Sequence, residues 1–322
     1  MKKISIFTPC FNEEENIVEI YERVKAQFDL LKDKYTYEHI FIDNASYDKT
    51  VELLRGIAAK DKNVKVIINA MNFGPVRSPI YGLKQCYGDA VIFMVADLQD
   101  PPELIPAFLE QWEAGHKVVV GVKNHSKENP IMYSIRKLFY KTLMKMSETR
   151  HITNYTGFGL YDKSFMDIVR KNDDPYPYFR GFVAEFGGDL GEVFYTQPKR
   201  ERGHTKNNFY TLYDQAMQGF VNHSKLPLRL ACFIGFGVAI ASLIVAVVYF
   251  IYKLLYWDDF IVGTAPLVIG LFFFSAIQLI FIGIIGEYIG AIHTQVRKRP
   301  LVIEKERINF EDTDEENTNN DN

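Results

Sequence analysis

With 322 residues, 48% hydrophobic and 24% charged, the chain is long enough for one large domain or two smaller ones and has an ordinary globular composition. A formal net charge of -3 excludes nucleic-acid affinity driven by bulk electrostatics. Cys10, Cys86 and Cys232 are too scattered for a disulfide framework or a thiolate metal site, and the seven histidines lack ligand spacing.

The opening apolar run, Ile4 to Phe7, is cut short by Pro9 and is too brief for a signal peptide, so the N-terminal half is expected to stay in the cytosol. Ile4 to Thr8 reads as a first strand. Asn12 is expected to cap a helix running to about Leu31, with acids in its first turn and Ile17, Ile20, Tyr21, Val24 and Phe28 at helical spacing. A second strand, Tyr37 to Ile42, leads through Asp43-Asn44-Ala45-Ser46-Tyr47-Asp48-Lys49-Thr50 into a second amphipathic helix ending near Ala59. Val64 to Ile68 is a third strand, and Asn72-Phe73-Gly74-Pro75 turns the chain into a helix over about Val76 to Cys86.

The fourth strand carries the most pointed signal. The run Ala90 to Ala96 is continuously apolar and then ends in Asp97-Leu98-Gln99-Asp100-Pro101-Pro102-Glu103, as a buried strand does when it delivers polar groups into a cleft. In an extended segment Asp97 and Gln99 would face the same side and could offer hard oxygens to one divalent cation. Solvated acids in a proline-stiffened turn are the plainer reading of the same residues. Repeated strand-loop-helix units imply a doubly wound, mostly parallel α/β sheet, whose ligands bind at the carboxyl ends of the strands. Neither a Gly-x-Gly-x-x-Gly fingerprint nor a P-loop is present, so a nucleotide would be held by acids and backbone groups.

Four ordered motifs carry a family resemblance: Pro9-Cys10-Phe11-Asn12-Glu13-Glu14, Ile42 to Thr50, Asn72-Phe73-Gly74, and Ala96 to Glu103. Together they resemble the family-2 inverting glycosyltransferases, and among these the polyprenyl-phosphate glycosyltransferases that include dolichyl-phosphate mannose synthase and bacterial two-helix relatives. Arg180-Gly181, the segment Arg200 to Lys206 and the C-terminal stretch Ile285 to Gly290 extend the likeness over nearly the whole chain. The resemblance implies a GT-A-like nucleotide-sugar-binding domain over residues 1–208, with Pro9, Phe11, Glu13 and Asp43 on the base and ribose. It further implies Asp97 and Gln99 on a Mg2+ or Mn2+ ion and the diphosphate. Acceptor phosphate would fall to Arg136, Arg200, Arg202 and Lys206, with Asp97, Arg136 and Arg200 as the catalytic set.

Three positions depart from the family pattern. Val95 stands where relatives usually carry an acid, Asn44-Ala45 replaces the usual Asp-Gly, and Gly159 stands where relatives often place an arginine for the acceptor phosphate. Ile131 to Met146 reads as a basic amphipathic helix, suited to a membrane interface or to packing on the sheet.

Leu230 to Tyr252 and Phe260 to Gly286 are uncharged and long enough to cross a bilayer, so a transmembrane hairpin over about 230–252 and 263–286 is expected after a juxtamembrane helix at 209–229. Lys225, Arg229 and Arg297-Lys298-Arg299 outnumber Lys253 in the turn, which places both ends in the cytoplasm of a plasma-membrane protein. Residues 291–322 would be a cytosolic tail, disordered from about Asn309. Gly283, Gly286 and Gly290 would permit close helix contact in a homo-oligomer.

These readings lead to inverting transfer of a hexose from a nucleotide diphosphate sugar, uracil favoured over guanine, to a polyprenyl phosphate, with bacterial undecaprenyl phosphate the expected acceptor. Two alternatives stay open. A saccharide hydroxyl as acceptor would need a carboxylate base, for which Asp100 and Glu185 are candidates, and a catalytically silent membrane scaffold would bind no nucleotide.

Overall fold

A computed structural model of the chain describes residues 1–124, 152, 154–174, 178–198, 226–256, 264–297 and 299–310. The expected juxtamembrane helix, the basic segment at 131–146 and the acceptor candidates Arg136, Arg200, Arg202 and Lys206 fall outside them, apart from the last four residues of the helix.

The order of elements begins β1 (Lys2–Cys10), α1 (Ile17–Leu31), β2 (Tyr35–Asp43), α2 (Thr50–Lys60), β3 (Val64–Asn69), α3 (Gly74–Lys84), β4 (Ala90–Phe93) and α4 (Ile105–Glu113). It continues with β5 (Val118–Lys123), β6 (Tyr155–Asp162), α5 (Lys163–Lys171), α6 (Phe179–Phe186) and β7 (Leu190–Tyr195), then two long helices, α7 (Leu226–Leu255) and α8 (Thr264–Val296), and a last strand, β8 (Glu304–Ile308). The strands form one sheet in the order β7-β5-β6-β4-β1-β2-β3-β8. β1 to β4 are parallel to one another, as the strand-loop-helix rhythm requires, whereas β6 runs antiparallel between β4 and β5, and β8 antiparallel beside β3.

Alternate residues of the strands feed two cores, which is the two-residue period of a sheet covered on both faces. Ile4, Ile6, Phe41, Val66 and Ile92 meet Ile17, Ile20, Val24, Leu54 and Phe108 from α1, α2 and α4 on one side. Phe7, Ile40, Ile42, Ile67 and Val91 meet Leu83, Phe165, Met166, Val169 and Val183 from α3, α5 and α6 on the other. Gly82 of α3 is fixed by this packing, since a Cβ there would lie 2.5 Å from the Phe7 ring.

One core position titrates. The His39 ring is fully buried, stacks on Phe41 at 4.0 Å and keeps its Nε2 3.0 Å from the Thr8 hydroxyl oxygen. Burial draws its imidazole from the ordinary 6.5 down to about 3. Below pH 6.5 the unfolded chain therefore takes a proton that the fold refuses, and stability falls as the pH drops toward 3. Acidifying from pH 7 to pH 5 should cost about 2 kcal/mol through this residue. His39→Gln, which keeps a hydrogen-bonding group but cannot titrate, should flatten that slope in thermal unfolding followed across the same range.

The last strand departs from expectation. The segment assigned to a tail returns from α8 to pair with β3, Ile67 opposite Arg307 and Asn69 opposite Glu304. After the strand, the side-chain amide of Asn309 donates to the carbonyls of Ala58 at 2.7 Å and Val64 at 2.8 Å. Arg307 spans Glu304, Gln85 and Tyr81, and Arg55 pairs with Glu306.

Helices α7 and α8 contain apolar spans Ala231–Tyr252 and Phe273–Val296, with mean hydropathies of 2.7 and 1.7. Either is long enough to cross a bilayer, and the second reaches further toward the C-terminus than the expected limit at 286. Added side-chain carbons at Gly283, Gly286 and Gly290 would meet nothing.

Candidate active site

At the carboxyl end of the sheet β1 lies between β2 and β4, with Cys10 beside Asp43 and Phe7 beside Phe93. The loops after these three strands therefore emerge side by side, and they carry Phe11 and Glu13, Asp43, and Asp97 with Gln99.

The first two loops are stitched together. Asn12 N–H donates to the Ser46 hydroxyl at 2.8 Å, and its side-chain oxygen accepts from Tyr47 N–H at 3.0 Å. Glu13 N–H donates to Thr50 Oγ1 at 2.9 Å, and Lys49 N–H donates to the Glu14 carboxylate at 2.9 Å. Asn12 is thus not the helix cap its residue type suggests. It sits at φ 55 in the left-handed region, four residues before the Asn16 position from which α1 starts, and it serves the neighbouring loop instead. Glu13 accepts from the Asn16 side chain at 2.7 Å, Pro9 is half-buried, and Phe11 meets the exposed Tyr47 edge to face at 5.9 Å.

Asp43 is fully buried at the end of β2, where its carboxylate accepts from Ser46 N–H at 2.9 Å and from the Ser46 hydroxyl at 2.5 Å. Burial raises its pKa. Ala45, between them, is held at φ 61, a conformation that suits glycine, which accounts for the glycine common at this position in the family pattern. Ala45→Gly should raise stability by about 0.5 kcal/mol, relief of the left-handed strain exceeding the added unfolded-state entropy, as read by denaturant titration.

Asn44 is a residue whose part could not be foreseen from its sequence. Its side-chain oxygen accepts from Phe73 N–H at 2.9 Å and from the Asn69 amide at 3.2 Å, while its own amide donates to Asn72 at 3.0 Å and to the Gly74 carbonyl at 3.2 Å. The substitution that breaks the usual Asp-Asp pair therefore ties the ends of β2 and β3 to the Asn72-Phe73-Gly74 turn, a task that needs both a donor and an acceptor.

Asp97 and Gln99 do not lie in an extended segment. β4 ends at Phe93, and Leu98 adopts φ 59, so the chain folds back until Gln99 N–H donates to Asp97 Oδ1 at 3.2 Å. Both side chains remain half-buried. Asp100 was expected as a solvated acid or a general base, but only 3% of it is exposed. It accepts from Val95 N–H at 3.3 Å and from the Tyr195 hydroxyl at 3.2 Å, so one carboxylate braces the acid loop against the end of β7. Burial lifts its pKa to about 6. Glu185, the other candidate base, is exposed on α6. Gly159 lies within β6, where an added Cβ would fall on the Val119 carbonyl oxygen. No arginine can stand there without displacing the β5 backbone.

Acids gather around the end of β1. The buried Cys10 thiol is pushed up chiefly by desolvation and further by Asp43, Glu13 and Asp48. Among the described residues no group of three or more His, Cys, Asp or Glu side chains is gathered as a ready metal cage. One half-buried carboxylate beside an amide oxygen fits a hard cation that keeps most of its shell as water and diphosphate oxygens.

The model of glycosyl transferase family 2 matches residues 5–169. The chain belongs to glycosyl transferase family 2. The similarity of this family 2 enzyme to its relatives extends over the two apolar helices as well. An uncharacterized glycosyltransferase, YkcC, of Bacillus subtilis is 32% identical over 95% of this chain and 94% of its own length. A bactoprenol glucosyl transferase of Shigella phage SfII is 33% identical over 94% of this chain and 97% of its own. Among solved structures, mannosyl-3-phosphoglycerate synthase from Rubrobacter xylanophilus is 16% identical, with a TM-score of 0.46 over 67% of this chain and 71% of that one.

Proposed function

We propose that this family 2 glycosyltransferase moves a hexose, from a UDP-sugar in preference to a GDP-sugar, onto undecaprenyl phosphate at the cytosolic face of the plasma membrane. One observation carries the reading. β7 runs parallel to β5 and ends at Tyr195 on the same side of the sheet as Asp43 and Asp97, and the chain leaves there toward α7. β8 runs antiparallel to β3, so the chain returning from α8 enters at that same side, beside Asn69. Both connections to the apolar helices thus attach at the end of the sheet that holds the site, which suits an acceptor embedded in the bilayer and a soluble donor. Two spans between β7 and β8 also favour a hairpin with both ends on one side of the membrane. The bactoprenol glucosyl transferases among the relatives support the same acceptor class.

In this reading the base and ribose lie along Pro9, Phe11, Glu13 and Asp43, in loops already fixed by the bonds between residues 12–14 and 46–50. Asp97 and Gln99 hold Mg2+ or Mn2+, which supplies charge neutralisation for the departing diphosphate. An acceptor phosphate oxygen attacks the anomeric carbon as the bond from that carbon to the nucleotide diphosphate breaks on the opposite face, so the configuration inverts through an oxocarbenium-like state. Arg136 and Arg200, with Arg202 and Lys206, neutralise and orient the acceptor, as the family resemblance implies. A phosphate monoester is already anionic at neutral pH and needs no strong base, in keeping with Asp100 being buried and engaged on both oxygens. A saccharide hydroxyl would need such a base, and of the two candidates Asp100 is buried and Glu185 is exposed on α6.

The test is direct. Purified protein with undecaprenyl phosphate, Mg2+ and a panel of labelled UDP- and GDP-sugars should yield a chloroform-soluble glycolipid from a UDP-hexose. Absence of lipid-linked product from every donor would overturn the proposal.

A further inference from the structure

Large apolar side chains are exposed at the site end of both sheet edges. Met71 follows β3 and Ile303 precedes β8, each 57% exposed, and the bond from Ala70 N–H to the Ile303 carbonyl at 2.9 Å makes them neighbours. On the opposite edge Phe194, one residue from the end of β7, is also 57% exposed. The Ile303 tip is not far from an apolar helix. Val302 is already buried, and the six residues after Val296 can span at most about 20 Å. Arg297 and Arg299 are exposed within that link, and the Arg77 guanidinium, over the Phe73 ring at 5.4 Å, donates to the Pro300 carbonyl and so fastens the link to α3.

Exposed apolar side chains beside arginines, held this close to a membrane helix, match the chemistry of an anionic bilayer surface, where apolar groups enter the headgroup region and arginines meet lipid phosphates. We infer that the carboxyl end of the sheet rests on the bilayer through Met71 and Ile303 at one edge and Phe194 at the other, with the active-site loops held between these two contacts. The inference rests on the membrane reading of α7 and α8. It goes beyond that reading by naming the surface of the catalytic domain that touches lipid. Such seating would bring the cleft to a headgroup without drawing the lipid out of the bilayer, and it would strengthen with the anionic lipid fraction.

Nitroxide labels and power-saturation spectroscopy on the full chain in nanodiscs test it. Cys10 and Cys86 are buried, so the native protein labels at Cys232, exposed on α7. In a Cys232→Ser background, single labels go on Met71→Cys, Ile303→Cys, Phe194→Cys and, as a control, Leu30→Cys, 81% exposed at the far end of α1. In discs of equal parts phosphatidylcholine and phosphatidylglycerol, the ratio of oxygen to nickel-chelate accessibility should be several-fold higher at 71, 303 and 194 than at 30. It should drop toward the Leu30 value in pure phosphatidylcholine, and Arg299→Gln should lower it at 303. Values at all three positions equal to that at 30, while Cys232 reads as lipid-exposed, would overturn the seating and leave the hairpin standing. A Cys232 label that reads as aqueous would overturn both. Glycosyl transfer measured in the same discs reports separately on the proposed reaction.

Discussion

Asp97→Ala should lower sugar transfer by on the order of 10³-fold, the kinetic equivalent of about 4 kcal/mol, while leaving the fold intact. The loss is expected to be large because Val95 occupies the position of a second acid, so in the proposed site one carboxylate would hold whatever cation accompanies the diphosphate. The fold should tolerate the change because Asp97 is half-buried and its side chain accepts from Gln99 N–H alone within its loop. Asp97→Asn should fall nearly as far, since an amide oxygen keeps the turn but loses the charge. Titration of a UDP-sugar with and without Mg2+ provides a second reading: the native protein should show metal-dependent affinity that either variant lacks. A variant that keeps most of its transfer rate would remove Asp97 from the reaction.

Ending the chain after Pro300 should be the most damaging change to stability. It takes away the β8 ladder, buried Val302, the bonds from Arg307 to Tyr81 and Gln85 and those from Asn309 to two carbonyls. The sum is on the order of 4 kcal/mol, which for a domain of this size lowers the melting temperature by roughly 10 °C. Asn309→Ala alone strands the carbonyls of Ala58 and Val64 and should account for about 1–2 kcal/mol of it. Circular dichroism melts of the two variants beside the native protein decide the matter. Unchanged melting after truncation would mean that β8 only leans on the sheet.

Much of this architecture was readable in the residues, because β1 to β4 and the apolar helices announce themselves through local periodicity and run length. What could not be read depends on partners distant in the chain. Glu304-Lys305-Glu306-Arg307-Ile308 looks like a polar tail since it buries no apolar stripe, and it becomes a strand only because β3, more than two hundred residues earlier, offers an open edge and Arg55 and Gln85 offer ion-pair and hydrogen-bond partners. Asp100 reads as a surface acid until Tyr195 arrives from the far side of the sheet to bond it. The turn at Leu98 was hidden for another reason. Leucine seldom adopts a positive φ, and nothing in Asp97-Leu98-Gln99 marks the position as one that must. Asn12 has the right chemistry for a cap and was recruited instead by Ser46 and Tyr47. Three of the four family motifs lie directly after β1, β2 and β4, so their meeting at one end of the sheet was legible, whereas the individual hydrogen bonds of Asp43 and Asn44 needed coordinates.

The late position of β8 in the chain also orders the protein's biogenesis. A ribosome delivers β1 to β7 first, then the two apolar helices, and only afterwards the strand that closes the β3 edge. Until the chain has passed α7 and α8 and its C-terminal segment has returned, the nascent domain carries an unpaired edge of the kind that invites aggregation and proteolysis. Completion of the sheet in the catalytic half thereby waits on synthesis of both apolar helices, and a chain cut short within them remains unfinished.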